Sequence, residues 1–254
     1  MEITVMGTGT SGGVPVLTCD CNVCLSQNPK DNRLRVSALI QIDGKNIVID
    51  SGPDFRQQIL ATKIKDLDAL IFTHEHKDHT AGLDDIRPFN YLRHKDFIPI
   101  YARDTVLAQL KQEFHYAFDE NAYPGVPRLK TVAISNKSFE VLGIKITPIE
   151  VMHYKLPVFG YRIKDFTYIT DANYISAEEI EKIKGTKVLV MNALQQRPHI
   201  SHYTLEEAIE VAREIGAENT YFTHISHNMG LHDEVSRTLP EGMHLAYDGL
   251  RISL

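Results

Sequence analysis

Leu70-Ile71-Phe72-Thr73-His74-Glu75-His76-Lys77-Asp78-His79 is the stretch on which the reading of the fold turns. Four apolar or β-branched residues run straight into three histidines and an aspartate packed within six positions. A buried strand that ends this way delivers imidazoles and a carboxylate to one point at a sheet's edge. Neutral imidazole with carboxylate suits Zn, Mn or Fe. The pairs His74/His76 and Asp78/His79 can serve two adjacent ions. A His-rich surface loop is the bland alternative, but composition alone almost never sets His-x-His-x-Asp-His directly behind a buried strand. The stretch reads as a metal centre.

The rest of the chain sets bounds on that centre. Its 254 residues suffice for one large domain, and no linker, charge run or low-complexity segment interrupts them, so one domain over 1–254 is the economical count. Hydrophobic content of 43% and charged content of 24% are ordinary for a globular chain. A formal charge of −6 offers no global basic face, which argues against nucleic acid held through its phosphates. A small phosphorylated substrate stays admissible, because metals supply positive charge locally. No apolar run is long enough to span a bilayer, and Met1-Glu2-Ile3-Thr4-Val5 lacks a basic leader, so the expectation is a cytoplasmic protein without membrane contact. A homodimer is compatible with this composition.

Glu2–Met6 reads as a first strand and runs into Gly7-Thr8-Gly9-Thr10-Ser11-Gly12-Gly13, formally G-x-G-x-x-G. A dinucleotide fingerprint needs that loop to open a helix. Val14-Pro15 and a cysteine loop follow instead, so the glycines are expected to permit tight turns beside the metal site. Cys19-Asp20-Cys21-Asn22-Val23-Cys24 holds all three cysteines of the chain. Three thiolates at this spacing can wrap one tetrahedral Zn, which needs a fourth ligand. Ser37–Ile42 and Lys45–Asp50 flank Asp43-Gly44 as a hairpin. Asp50, and Asp54 before an expected helix to Ile59, serve either an imidazole or a helix cap, or merely satisfy a turn. Thr80–Ile86 reads as a helix interrupted by Pro88, Ile98–Tyr101 as a strand, Thr105–Phe118 as a helix and Asn121–Arg128 as a loop bordering a cleft. His94 and His115 have no ligand spacing around them.

The second half repeats the pattern of an apolar strand followed by a ligand. Hairpins are expected at Phe139–Leu142/Ile144–Ile149 and Phe159–Ile163/Phe166–Ile169, and they lead to His153 and Asp171. With the first motif present, these two are read as missing ligands of a two-metal site. Ser176 and Thr204 are expected to cap helices to Ile183 and Ile215, each with a glutamate completing a capping box. Lys187–Met191 and Asn219–Thr223 are strands, the latter ending in His224-Ile225-Ser226-His227. His227, with His232 as its rival, is the candidate fourth ligand for Cys19, Cys21 and Cys24 as a structural zinc site. Met243–Leu254 is expected to close the sheet through a turn at Asp248-Gly249.

His-x-His-x-Asp-His behind an apolar strand resembles the metallo-β-lactamase superfamily. That resemblance implies an α/β, αββα sandwich with one or two metals at the edge of its sheets. It further implies that His74, His76 and His153 hold one metal and that Asp78, His79 and His224 hold the other, with Asp171 bridging. The Gly7–Pro15 run, the three cysteines, the Asp50–Arg56 segment and the His224/His227 pair look like the branch of phosphonate-pathway phosphodiesterases. The implied cofactors are two divalent catalytic metals, Zn or Mn before Fe, and one structural Zn.

The function expected from that branch is hydrolysis of a small phosphodiester, such as a cyclic sugar or nucleoside phosphate, by hydroxide attack at phosphorus. Two cations about 3.5–4 Å apart lower the pKa of a shared water and offset charge at phosphorus. His202, or His199, then assists the leaving group by resemblance, and Asp78 both ligates and orients the nucleophile. Three alternatives compete: a transfer-RNA 3′-processing endonuclease, a pyrroloquinoline quinone pathway member, and an inactive binding protein on the same scaffold. The first lacks its Gly/Pro-rich arm here, and the last is disfavoured by a full set of seven ligands.

Overall fold

The computed structural model describes residues 1–119 and 122–254. Strands β1 (Glu2–Gly7), β2 (Ser37–Ile42), β3 (Lys45–Ile49), β4 (Ala69–Ile71), β5 (Ile98–Ala102) and β6 (Leu129–Ala133) lie in one sheet. A second sheet holds β7 (Phe139–Val141), β8 (Ile144–His153), β9 (Leu156–Ile163), β10 (Phe166–Ile169), β11 (Tyr174–Ile175), β12 (Val188–Asn192), β13 (Asn219–Thr223) and β14 (Met243–Leu245). The last strand, β15 (Leu250–Ser253), returns to the first sheet, whose order is β15-β1-β2-β3-β4-β5-β6. The second sheet runs β11-β8-β9-β10-β12-β13-β14, with β7 paired on β8.

Side-chain alternation explains why these strands look apolar throughout. Ala38, Ile40, Ile47, Ile49 and Ile71 pack between the sheets against Phe159, Tyr161, Tyr168 and Val190. Their neighbours Leu39, Val48 and Leu70 face outward, under helices α1 (Phe55–Thr62), α2 (Lys77–Thr80), α3 (Arg87–Leu92), α4 (Asp104–Glu113) and α5 (His115–Phe118), joining Phe55, Phe89 and Leu110. On the far side, Leu189, Met191 and Phe222 pack under α6 (Ala177–Ile183), α7 (Leu205–Ile215) and α8 (His232–Ser236). Both faces of each sheet are covered, so neither alternation partner is polar. The layers are αββα, as expected. Among the described residues no helix is long and apolar enough to cross a membrane.

Local signals explain several boundaries. Asp43 and Gly44 both have positive φ (51° and 73°), the conformation a two-residue hairpin demands. Thr204 and Glu207 form a reciprocal capping box at α7, and Gly216 ends that helix at φ 72°.

Other expectations fail for physical reasons. The helix over Thr80–Ile86 is instead α2, a 3-10 turn at Leu83–Ile86, and then α3. Pro88 does not interrupt a helix; it lies in the first turn of α3, where its missing N–H costs nothing. The helix over Thr105–Phe118 breaks at Phe114, whose ψ of 36° leaves the helical region. Asp54 stands at the N-cap of α1 without capping it, because its carboxylate takes the Arg35 N–H (2.8 Å) and guanidinium (3.2 Å). Ser176 caps α6, but Glu179 does not complete the box, since it accepts from Asn136, Lys182 and the Glu150 N–H. Met243–Leu254 does not close one sheet: β14 extends the second and β15 the first. Strand β6 follows the loop expected over Asn121–Arg128, and Asn121 itself lies outside the described residues.

Candidate metal centre

Strand ends from both sheets meet at one edge of the sandwich. Strands β3 and β4 bring Asp50 and the His74–His79 run; β8, β10 and β13 bring His153, Asp171 and His224. Three of these residues turn immediately after their strands through left-handed backbone: Asp50 (φ 62°), Asp171 (56°) and His224 (54°). Such conformations are unfavourable for residues with a Cβ and cluster where a site is over-determined. Gly52 lets the His74–His79 run approach; a Cβ there would stand 2.0 Å from the Asp78 carbonyl oxygen.

Hydrogen bonds fix which imidazole nitrogen faces inward. His79 donates from Nδ1 to Asp50 Oδ2 at 2.7 Å. Thr73 donates its hydroxyl to the same carboxylate oxygen (2.8 Å), so its oxygen can accept from His74 Nδ1 at 3.0 Å. His153 donates from Nδ1 to the Ser201 carbonyl at 2.9 Å. Each tie leaves Nε2 with its lone pair available as a ligand atom. His76 instead presents Nδ1, 3.0 Å from His74 Nε2.

The inward atoms form groups of ligand spacing, each within 4.8 Å: His74, His76 and His153; and Asp78, His79, Asp171 and His224. Ligands about 2.0–2.1 Å from a tetrahedral ion stand about 3.3 Å apart. His79 Nε2 is 3.2 Å from Asp171 Oδ2 and 3.4 Å from Asp78 Oδ2, and His224 Nε2 is 3.2 Å from Asp171 Oδ1. Among the described residues, the buried Nε2 atoms of His79 and His224 have no hydrogen-bond partner, which suits a cation. Asp171 Oδ1 also lies 3.9 Å from His153 Nε2, so its carboxylate stands between the groups.

Charge agrees. Burial pushes His74 and His76 below the usual imidazole range, keeping them neutral as ligation requires. Burial acts the same way on His79, but Asp171, Asp50 and Asp78 overcome it and hold that imidazole well above its usual range. Three carboxylates around one buried histidine need positive charge, and divalent cations fit. Asp50→Ala is expected to weaken metal binding by about 10–100-fold in a chelator competition; affinity within twofold of the parent would remove its anchoring role.

His202 is buried (7% exposed), between the rings of His153 (4.6 Å) and His224 (4.7 Å). Its Nδ1 lies 3.9 Å from Asp171 Oδ1, so with His153 and Asp171 it also has ligand spacing. His199 is exposed and 5.2 Å from the His202 ring.

The second cluster lies one loop away. His227 Nδ1 is 3.1, 3.5 and 3.5 Å from the sulfurs of Cys19, Cys21 and Cys24. With Zn–S about 2.3 Å, these separations fit one tetrahedral zinc. The Cys24 N–H lowers the Cys21 thiol to about 6, favouring the thiolate a metal takes. His232 is not the fourth ligand; its Nδ1 meets the Arg33 guanidinium at 3.1 Å. The Gly7–Gly13 segment runs beside both clusters, with Thr10 N–H donating to Ile225 O and Ile225 N–H to Thr8 O. His94 and His115 join neither group.

Three supporting residues had no motif to announce them. Asn192 holds both backbone groups of Ala172 at 2.8 Å, beside Asp171. Asn173 accepts from Tyr154 N–H (2.8 Å) and donates to Ile200 O (3.2 Å), tying the β8–β9 turn to the His202 loop. Thr73 is the third. A polar residue closing an apolar strand was the one available signal, and it applies to Asn192 and Thr73.

Comparisons with known proteins agree with this geometry. A family model described as Beta-lactamase superfamily domain matches residues 45–225. The crystal structure of a new diphosphatase from the PhnP family superposes with a TM-score of 0.93 at 39% identity, covering 100% of this chain and 97% of that one. An octanoyltransferase from Porphyromonas gingivalis is 42% identical over 253 residues, which is 98% of this chain but 51% of that protein. A Coenzyme PQQ synthesis protein B from Methylorubrum extorquens is 28% identical over 206 residues, 74% of this chain and 61% of that protein. The chain thus spans about half to three fifths of the length of these two curated relatives.

Proposed function

Because the chain belongs to the beta-lactamase superfamily and, within it, to the PhnP family, we propose that it is a metal-dependent hydrolase cleaving a phosphoric ester of a small molecule, a phosphodiester or a diphosphate. The observation that carries this reading is Asp171, whose carboxylate stands between the two donor groups, with Oδ2 3.2 Å from His79 and Oδ1 3.2 Å from His224 and 3.9 Å from His153 of the other group. Two divalent cations bound there would lower the pKa of a shared water and offset charge at phosphorus. His74, His76 and His153 would hold one, and Asp78, His79 and His224 the other, with Asp171 between them. Cys19, Cys21, Cys24 and His227 would hold zinc in a structural role.

The chain's own groups supply the rest. Asp78 and Asp171 orient the attacking oxygen by accepting its hydrogen bond. His202 is neutral, because burial pushes it down to about 3, and it offers an N–H to the departing oxygen. An anionic ester beside that ring raises its hold on a proton, countering the burial. His202→Ala is expected to lower turnover by about 10²–10⁴-fold with metal content unchanged; equal activity of the two proteins excludes it from the reaction.

The octanoyltransferase name belongs to a protein about twice as long, and the thiols of this chain do not favour acyl transfer. All three thiols face His227, so none is left at the main centre as an acyl-accepting nucleophile. The deciding experiment gives the native, metal-loaded protein bis(p-nitrophenyl) phosphate, a lactam, a thioester and a transfer-RNA precursor. Turnover of the phosphodiester above all others is expected. Preference for the thioester or the lactam ends the proposal.

A further inference from the structure

Left-handed backbone marks one more residue at the metal centre's edge. Tyr154 (φ 57°) follows His153 in the two-residue turn between β8 and β9. The same conformation opens the other two-residue turns, at Asp43 (51°), Leu142 (52°) and Lys164 (53°), all away from the metal ligands, so Tyr154 is set apart by its place. Glycine would take this position without strain. A tyrosine there is not retained for packing, since 49% of it is exposed. Its N–H is held by Asn173, so the strained conformation is enforced from the Asp171 side.

The ring has a place to act. It borders an open pocket of about 540 Å³ that is also lined by His76, His153, Leu156 and Ile200. Ile200 is 66% exposed, although it is strongly apolar. Lys155 stands with its ammonium 5.2 Å from the centre of the Tyr154 ring. A concave, largely apolar surface opening onto polar ligating groups is the form of a small-molecule subsite.

We infer that Tyr154, with Leu156 and Ile200, forms a subsite for a flat ring, aryl or heterocyclic, carried by one organic arm of the ester. This rests on the phosphoric-ester reading above and narrows its substrate class to esters bearing such a ring. Tyr154 is thus a specificity-determining residue by its place at the pocket's edge. A ring stacked on tyrosine gains about tenfold in affinity over an alkyl group that cannot stack.

The test titrates metal-loaded protein with phenyl phosphate and ethyl phosphate by calorimetry. The parent protein is expected to bind the phenyl ester about tenfold more tightly. Tyr154→Gly should bring the two within about twofold by weakening the phenyl ester alone, with a thermal midpoint no lower than the parent's. Tyr154→Asn, which tolerates left-handed backbone, should behave alike, and Tyr154→Phe should keep the preference. Equal binding of both esters by the parent, no binding of either, or an undiminished preference in the glycine and asparagine variants overturns the inference. If the preference follows the ring of residue 154 while bis(p-nitrophenyl) phosphate is left intact, the subsite stands and the diesterase reading fails.

Discussion

Asp171→Asn is expected to lower turnover of bis(p-nitrophenyl) phosphate by about 10³-fold or more and to leave the purified protein short of metal. The substitution preserves size and changes only charge and one donor atom. Asp171 is buried at 2% exposure, with Oδ2 3.2 Å from His79 and Oδ1 3.2 Å from His224. An amide keeps only one acceptor oxygen, so its NH₂ must face either His79 or the His224 and His153 side, where it repels a cation. The Thr170 hydroxyl, which donates to Asp171 Oδ2 at 2.6 Å, favours leaving the oxygen on the His79 side. Elemental analysis alongside kinetics therefore distinguishes two failures. Loss of metal with loss of rate supports a carboxylate shared by both groups. A fully metallated, fully active variant would sink the central claim about Asp171.

Cys21→Ser should be felt first as stability. Binding of a structural zinc is itself folding free energy. Losing a thiolate from the Cys19, Cys21, Cys24 and His227 set is expected to remove one metal per chain and lower the thermal midpoint by about 10 °C. The effect on chemistry should come later, because the cysteine set and the main centre share no ligand residue. A variant that keeps the parent's midpoint, or a parent that carries no metal beyond the main centre, removes the structural zinc.

Much of this arrangement was legible because the apolar strands that reach the site run directly into candidate ligands. His74, His153, Asp171 and His224 are all found by that rule, and the chain does bring them to one place. Cys19, Cys21 and Cys24 advertise themselves by spacing, and His227 meets them. What could not be read were the choices a side chain makes among distant partners. Asp54 and Glu179 sit where caps belong, yet stronger donors from other segments claim their carboxylates. The left-handed turns at Asp50, Asp171 and His224 carry no glycine to mark them. The carbonyl of Ser201, which selects the tautomer of His153, belongs to a backbone group that any residue would supply.

Each donor group draws on both layers of the sandwich. His74 and His76 come from the first sheet and His153 from the second; Asp78 and His79 meet Asp171 and His224 in the same way. A pair of cations there would act as rivets through two plates, blocking shear of one sheet over the other at this edge. Stripping them should leave the far end of the sandwich protected from amide exchange while the riveted edge begins to breathe.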